Sequence, residues 1–287
     1  MEIDYSNITT LNLYEQNLTK LPDDITQYIN LIELNCQGYA IDRLDNLPPG
    51  LLTLYCANNT FDRLDNLPLG LQILYCGGNT ITSLDNLPQE LQILYCSWSN
   101  KITSLDNLPP GLLTLYCANN AIVRLDNLPP GLQILYCGGN TITSLDNLPP
   151  GLQTLNCSYN KITSLDNLPP ELQILNCIGN NLIRLDNLPL GLLKLYCNDN
   201  KITSLDNLPP ELQILNCNIN NITRLDNLPP KLLNLNCNFN NITTLDNLPP
   251  GLQILDCSNN PLQYDFEPTI ENIRNYNTSR NTSSNTI

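Results

Sequence analysis

The chain contains no histidine. That excludes Ser-His-Asp and Cys-His nucleophilic sites, imidazole general bases and His-ligated metals. Charge is scarce as well, at 14% of residues against a usual figure of about 25%, so the surface must be solvated largely by Asn, Thr, Ser and Gln. What charge there is leans acidic, 27 carboxylates against 13 basic residues for a formal −14. Such a surface repels phosphate backbones and anionic lipid, so neither nucleic acid nor a membrane is an expected partner. No apolar run approaches the roughly 18 residues of a membrane span. The start, Met1-Glu2-Ile3-Asp4-Tyr5, lacks the basic stretch and apolar run of a secretory signal. The expectation is a soluble, intracellular, cytoplasmic protein without catalysis and without a cofactor.

What is abundant is periodic. The string Leu-Asp-Asn-Leu-Pro occurs eleven times, beginning at Leu44, Leu64, Leu84, Leu105, Leu125, Leu145, Leu165, Leu185, Leu205, Leu225 and Leu245. The period is twenty with one 21-residue step. All twelve cysteines keep this register, from Cys36 to Cys257, as do nineteen of the 22 prolines. One structural unit has been copied.

A unit reads Leu112-x-x-Leu115-x-Cys117-x-x-Asn120-x-Ile122-x-x-Leu125-Asp126-Asn127-Leu128-Pro129-Pro130. Its first half alternates like a short strand, with Leu115 and Cys117 on one face and Thr114, Tyr116 and Ala118 on the other. Pro129 and Pro130 forbid a helix in the second half and predict turns and polyproline-like chain. Twenty residues with six inward side chains cannot bury enough to fold alone. Stacked in parallel they share a core and a ladder, which predicts a solenoid that needs capped ends.

These residues resemble the leucine-rich repeat, in the short twenty-residue form typical of bacterial effector proteins and seen in proteins of large DNA viruses. The match covers residues 31–262 as twelve units, after a weaker one, Ile8-x-x-Leu11-x-Leu13-x-x-Gln16-x-Leu18. Cys replaces the third strand leucine throughout, and Asp stands where the effector type has the first proline of its Leu-Pro-x-Leu-Pro string. The resemblance implies a leucine-rich-repeat solenoid of the α/β-horseshoe superfamily, mostly β. A parallel sheet would line the concave face, extended limbs the convex face, with little helix. It implies a protein-protein interaction scaffold, acting in a host cell's cytoplasm if the effector analogy holds. Residues 1–30 are expected to form an N-terminal partial repeat and cap, and 263–287 a C-terminal cap with a tail disordered from residue 275. Effectors of this type often carry a ubiquitin-ligase domain with a Cys-x-Asp nucleophile. Cys197-Asn198-Asp199 matches that string, but Cys197 is in core register, and the 25 residues after 262 are too few for such a domain.

Several columns have structural readings. The asparagines from Asn59 to Asn260 follow each strand and can bond backbone groups left over where the chain turns. Stacked strands about 4.8 Å apart hold neighbouring Cβ atoms beyond the roughly 3.5–4.5 Å of a disulfide, and a line of thiols is no tetrahedral zinc site. The cysteines therefore read as a reduced, buried column. The aspartates of Leu-Asp-Asn-Leu read as Asx-type turns, each capping backbone two residues on. One carboxylate per repeat is too few for calcium. Sequons such as Asn7-Ile8-Thr9 carry little meaning in so Asn- and Thr-rich a chain.

The outward strand positions are where a protein partner is expected. The position between strand leucine and cysteine reads Asn35, Tyr55, Tyr75, Tyr95, Tyr116, Tyr136, Asn156, Asn176, Tyr196, Asn216, Asn236 and Asp256. Five consecutive units present tyrosine, flanked by Ile73, Ile93 and Ile134. The inserted residue near Cys96-Ser97-Trp98-Ser99-Asn100 should bulge and push Trp98 to the sheet's lip. Tyr and Trp suit interfaces. Two alternatives stand beside binding. Residues 51–111 and 112–172 are near copies displaced by 61 positions, so the tyrosines could be inherited, and they could stack on one another to stabilise the sheet. A purely structural or self-associating protein is the competing class.

Overall fold

A computed structural model describes residues 5–14, 16–38, 40–98, 101–246 and 248–284. The chain divides into two compact units, Met1–Ile142 with Asn147–Leu152, and Thr143–Asp146 with Gln153–Ile287. The first unit stacks β1 (Thr10–Asn12), β2 (Glu33–Asn35), β3 (Thr53–Tyr55), β4 (Ile73–Tyr75), β5 (Ile93–Tyr95), β6 (Thr114–Tyr116) and β7 (Ile134–Tyr136) in chain order, all parallel. The second stacks β8 (Thr154–Asn156), β9 (Ile174–Asn176), β10 (Lys194–Tyr196), β11 (Ile214–Asn216), β12 (Asn234–Asn236) and β13 (Ile254–Asp256), then α1 (Ile270–Ser284). Each unit is a leucine-rich-repeat solenoid. Like pairs with like across each rung, Leu54 with Leu74 and Tyr55 with Tyr75. The 21-residue step is absorbed between β5 and β6, where Ile93 pairs with Thr114.

The strands are short because the chain must turn twice within twenty residues. In β2 to β12 only the central leucine is fully inside, and in β1 and β13, at the two ends, that leucine is half-buried. Leu112, Leu115, Cys117 and Ile122 are wholly buried, and Leu125 and Leu128 nearly so. Beyond the core, the Asn of Leu-Asp-Asn-Leu takes a left-handed backbone, φ 58° at Asn127 and 62° at Asn107, a conformation that Asn tolerates better than most residues. The Leu132 N–H then donates to the Pro129 carbonyl at 3.1 Å, closing a four-residue turn with Pro130 at its second position.

The asparagine after each strand fastens one rung to the next. Asn140 Nδ2 donates to the Cys117 carbonyl at 3.1 Å and the Cys137 carbonyl at 2.9 Å, while its Oδ1 accepts the Ile122 N–H at 3.0 Å. A buried amide thus satisfies carbonyls of two successive rungs and an N–H of the earlier one.

The aspartate column departs from its expected role. Asp146 does not cap backbone two residues on. Its N–H donates to Ser144 Oγ at 3.1 Å, and that hydroxyl donates back to Asp146 Oδ2 at 2.6 Å. A hydroxyl can accept and donate at once, whereas a carboxylate only accepts, so the serine makes the turn and the carboxylate is satisfied by it. Where arginine stands in place of serine, Arg63 and Arg184 Nε reach Asp65 and Asp186 at 2.6 Å.

The tail also differs. Composition predicts disorder from residue 275, but Ile270–Ser284 is helical, while residues 285–287 lie outside the described residues. Thr269 caps the helix through the Asn272 N–H at 3.2 Å. Ile273 is fully buried, and Arg274 donates to the Pro249 and Pro250 carbonyls at 2.7 and 3.0 Å. Anchoring to the last repeat gives order that composition alone does not reveal.

None of the twelve cysteines is in a disulfide, and all are buried. Burial pushes the pKa of the five from Cys36 to Cys117 and the six from Cys157 to Cys257 up from 9.0, to about 12 at Cys36, Cys96, Cys157 and Cys217. The resulting contribution to stability is fully present below pH 9. It is lost as pH rises towards the folded values, because the unfolded chain ionises first. Each of these thiols costs about 1.4 kcal/mol per pH unit in that window, and the eleven together outrun the roughly 5–15 kcal/mol that holds an ordinary domain. Circular dichroism across an alkaline titration is expected to show a steep loss of structure between about pH 9.5 and 11. A chain still folded above that window would contradict the buried column. A second expectation concerns the bridging amide. Asn140→Ala should destabilise by about 2–4 kcal/mol in urea unfolding, while Asn127→Gly, which keeps the left-handed turn, should change stability by less than about 0.5 kcal/mol.

Candidate protein-binding face

Alternation along β3 to β7 sends each tyrosine to the side opposite its leucine, and the common register lines the five rings in one column. Successive ring centroids lie 4.7, 4.1, 4.1 and 4.5 Å apart from Tyr55 through Tyr75, Tyr95 and Tyr116 to Tyr136, with interplanar angles of 25°, 9°, 11° and 17°. The ring faces are therefore occupied by one another. Edges and hydroxyls are what remains for anything outside. Burial raises the pKa of Tyr95, Tyr116 and Tyr136, and a hydrogen bond with Tyr75 raises that of Tyr95 further, opposed by one with Tyr116. These hydroxyls are neutral donors and acceptors at physiological pH.

Ile73, Ile93 and Ile134 open β4, β5 and β7 on the same face as the tyrosines two residues later, and are half-buried. Thr53 and Thr114 occupy the matching places in β3 and β6. Trp98 stands apart from them, two residues past the β5 core position Cys96. It is 65% exposed, with φ 68° and its N–H on the Ala118 carbonyl at 2.9 Å. Ser99 and Asn100, where the spacing places the inserted bulge, lie outside the described residues.

Two features of this face are not evident from the repeat pattern. Beside the tyrosines runs a tier of small residues, Ala57, Gly77, Ser97, Ala118 and Gly138. At Gly77 an added Cβ would come within 2.5 Å of the Ser97 carbonyl oxygen. The signal for it is the residue following each cysteine. In the second unit the tyrosine column becomes mostly asparagine, and these amides turn back on their own chain. Asn156, Asn176 and Asn236 Oδ1 accept N–H groups two residues on, from Ser158, Ile178 and Asn238 at 3.1, 3.2 and 3.2 Å. Asp256 does the same for Ser258 at 3.1 Å. A tyrosine cannot make that short return, so its ring stays outward.

The Cys197 thiol is buried and held well above its ordinary pKa by burial, then by the neighbouring thiols Cys177 and Cys217. It has neither the access nor the thiolate character of a nucleophile. Among the described residues no group of three or more Cys, Asp or Glu is placed to hold a metal ion, and no helix is long and apolar enough to cross a membrane.

No protein-family model matches the sequence, and no curated protein does. Solved structures do. YopM from Yersinia enterocolitica superimposes with a TM-score of 0.79 at 34% identity, over 88% of this chain and 56% of that one. The functional domain of InlJ from Listeria monocytogenes, which includes a cysteine ladder, gives 0.74 at 29% identity, over 91% and 65%. YopM from Yersinia pestis, a leucine-rich effector protein, gives 0.54 at 26% identity, over 92% and 87%. The chain thus spans less than two thirds of the first two proteins' own length. Its repeat length, parallel rungs and these likenesses together give the chain a leucine-rich-repeat fold with the short, twenty-residue repeat.

Proposed function

We propose that this chain is a non-catalytic interaction scaffold that holds a protein partner against the tyrosine face of β3 to β7, working inside a cell as a host-directed effector. The observation that carries the reading is the ladder of five half-buried, mutually stacked tyrosines. Half-buried isoleucines stand on one side of it and small residues on the other. Rigid aromatic edges with polar tips offer contact area at low entropic cost. Trp98, exposed past the end of β5, extends that surface. The effector role rests on the likeness to the Yersinia proteins, one of which is named an effector.

One observation favours a second reading, in which the tyrosines serve the sheet and the protein is structural or self-associating. Their faces are spent on each other, at 4.1 Å for the two central pairs, and such pairs contribute about 0.5–1.5 kcal/mol each.

A variant carrying Tyr75→Ala, Tyr95→Ala and Tyr116→Ala separates the two. The scaffold reading expects it to stay folded by circular dichroism, to melt a few degrees lower, and to lose a specific prey in an affinity pull-down. An unchanged prey list would remove the stripe as a binding site. Concentration-dependent oligomers of the wild type by light scattering, abolished in the variant, would favour self-association.

A further inference from the structure

From Cys56 onward, the residue two places beyond each strand cysteine has a left-handed backbone, and in most rungs it is of a kind that takes this conformation cheaply: Asn58, Asn119 and Asn259, Gly78, Gly139 and Gly179. In the second unit three bulky side chains sit there instead, Tyr159 at φ 51°, Ile219 at 52° and Phe239 at 50°. For an aromatic or a β-branched residue that conformation is strained. The strain brings little burial in return, since the three are 62%, 48% and 55% exposed. Nor does the backbone require them. Their N–H groups are in the ladder, on the carbonyls of Ile178, Asn238 and Ser258, as any residue's would be. The internal duplication points the same way. Trp98 and Tyr159 are equivalent positions 61 residues apart, each aromatic, left-handed and more than 60% exposed. The ring has changed between the copies, yet an aromatic remains at the same strained place.

We propose that Tyr159, Ile219 and Phe239, with the exposed carboxylate of Asp199 among them, dock a segment of another protein in which a lysine or arginine stands between large apolar side chains. The column reads Tyr159, Gly179, Asp199, Ile219, Phe239. At about 4.8 Å per rung it spans roughly 19 Å, the length of some six extended residues. The Tyr159 ring lies across Gly179, where an added Cβ would fall 2.5 Å from its Cδ1. The apolar ends of the row are therefore separated by one flat rung and one negative charge. Charge complementarity fixes the sign of the occupant. The column carries a carboxylate and no basic residue, on a chain of formal charge −14, so the docked segment supplies the cation. This surface is separate in sequence from the tyrosine ladder of β3 to β7, and its test leaves that ladder intact.

The experiment selects a random twelve-residue peptide display library against the full chain. The selected peptides are then measured on two variants, one with Tyr159→Asn, Ile219→Asn and Phe239→Asn, the other with Asp199→Asn. Enriched peptides are expected to place Lys or Arg within three residues of Trp, Phe or Leu. They should bind the triple variant about tenfold or more weakly and should weaken on Asp199→Asn as well. The triple variant is also expected to melt higher than the wild type by roughly 2–4 °C or more, because strain has been relieved. A lower melting temperature would show that the three side chains hold the rungs together and would overturn the proposal. So would enriched peptides that bind both variants as tightly as the wild type, acidic consensus peptides, or a selection that enriches nothing. Self-association of the wild type that the triple variant loses would assign the surface to a second copy of this chain, against the occupant named here.

Discussion

No rung of this protein can exist alone, and the bond that joins rung to rung is a buried amide. Asn180 Nδ2 donates to the Cys157 and Cys177 carbonyls, both at 3.1 Å, while Oδ1 accepts the Ile162 N–H at 3.0 Å. Removing such a group would leave several buried backbone atoms unpaired in two rungs at once. That dependence fixes the step of the solenoid. The amide has one reach, so the next strand must arrive at one distance and in one register, and every column of the sequence inherits the same environment. The leucines, the thiols and the left-handed asparagines recur because the amide makes their surroundings recur.

Equality of environment is also why so much of the fold is legible in the amino-acid order. The period implies the strands, the core and the cysteine column, since a residue type repeated at one step must meet one set of neighbours. The tyrosines of β3 to β7 are legible for the same reason. What is not legible lies where two groups could serve equally well or where order comes from afar. Ser144 and Asp146 can each cap a turn, and only geometry shows that the hydroxyl does so. The helix Ile270–Ser284 has the composition of a tail, and its order comes from Arg274 on the Pro249 and Pro250 carbonyls, 25 and 24 residues back. The small tier beside the tyrosines is in plain view in the sequence, but it acquires meaning only once the rings are known to stack above it.

Like charges at every rung oppose the stack. The structure disperses them locally. Asp85 accepts from Ser83 and from Asn107 Nδ2, one rung on at 3.1 Å, and these bonds hold its carboxyl below the usual range. Asp106 is treated alike by Ser104 and Asn127. At exposed positions such bonds are worth little each, because water and salt screen them. Their effect is to keep most carboxylates extended along the edge rather than clustered, which leaves few charges on the sheet face, Glu33, Lys194 and Asp256 among them. A face of that kind exerts little long-range pull on an approaching molecule. Recognition on it must come from short-range fit.

Short-range fit requires that something differ from rung to rung, and the copying that makes the scaffold stable works against it. The column after each strand leucine shows how the difference arises. Asparagine there folds back on its own chain and is spent, as Asn156, Asn176 and Asn236 are. Tyrosine cannot reach back, so it stacks on its neighbours. A single change of residue type, made without moving the backbone, converts a column that stabilises turns into one that presents stacked rings. The left-handed column follows the same logic at greater cost, since Ile219 and Phe239 strain the chain that Asn259 in the next rung leaves relaxed. In a molecule built by repetition, the residues that depart from the repeat without improving the rung are the ones on which a proposal of contact can rest.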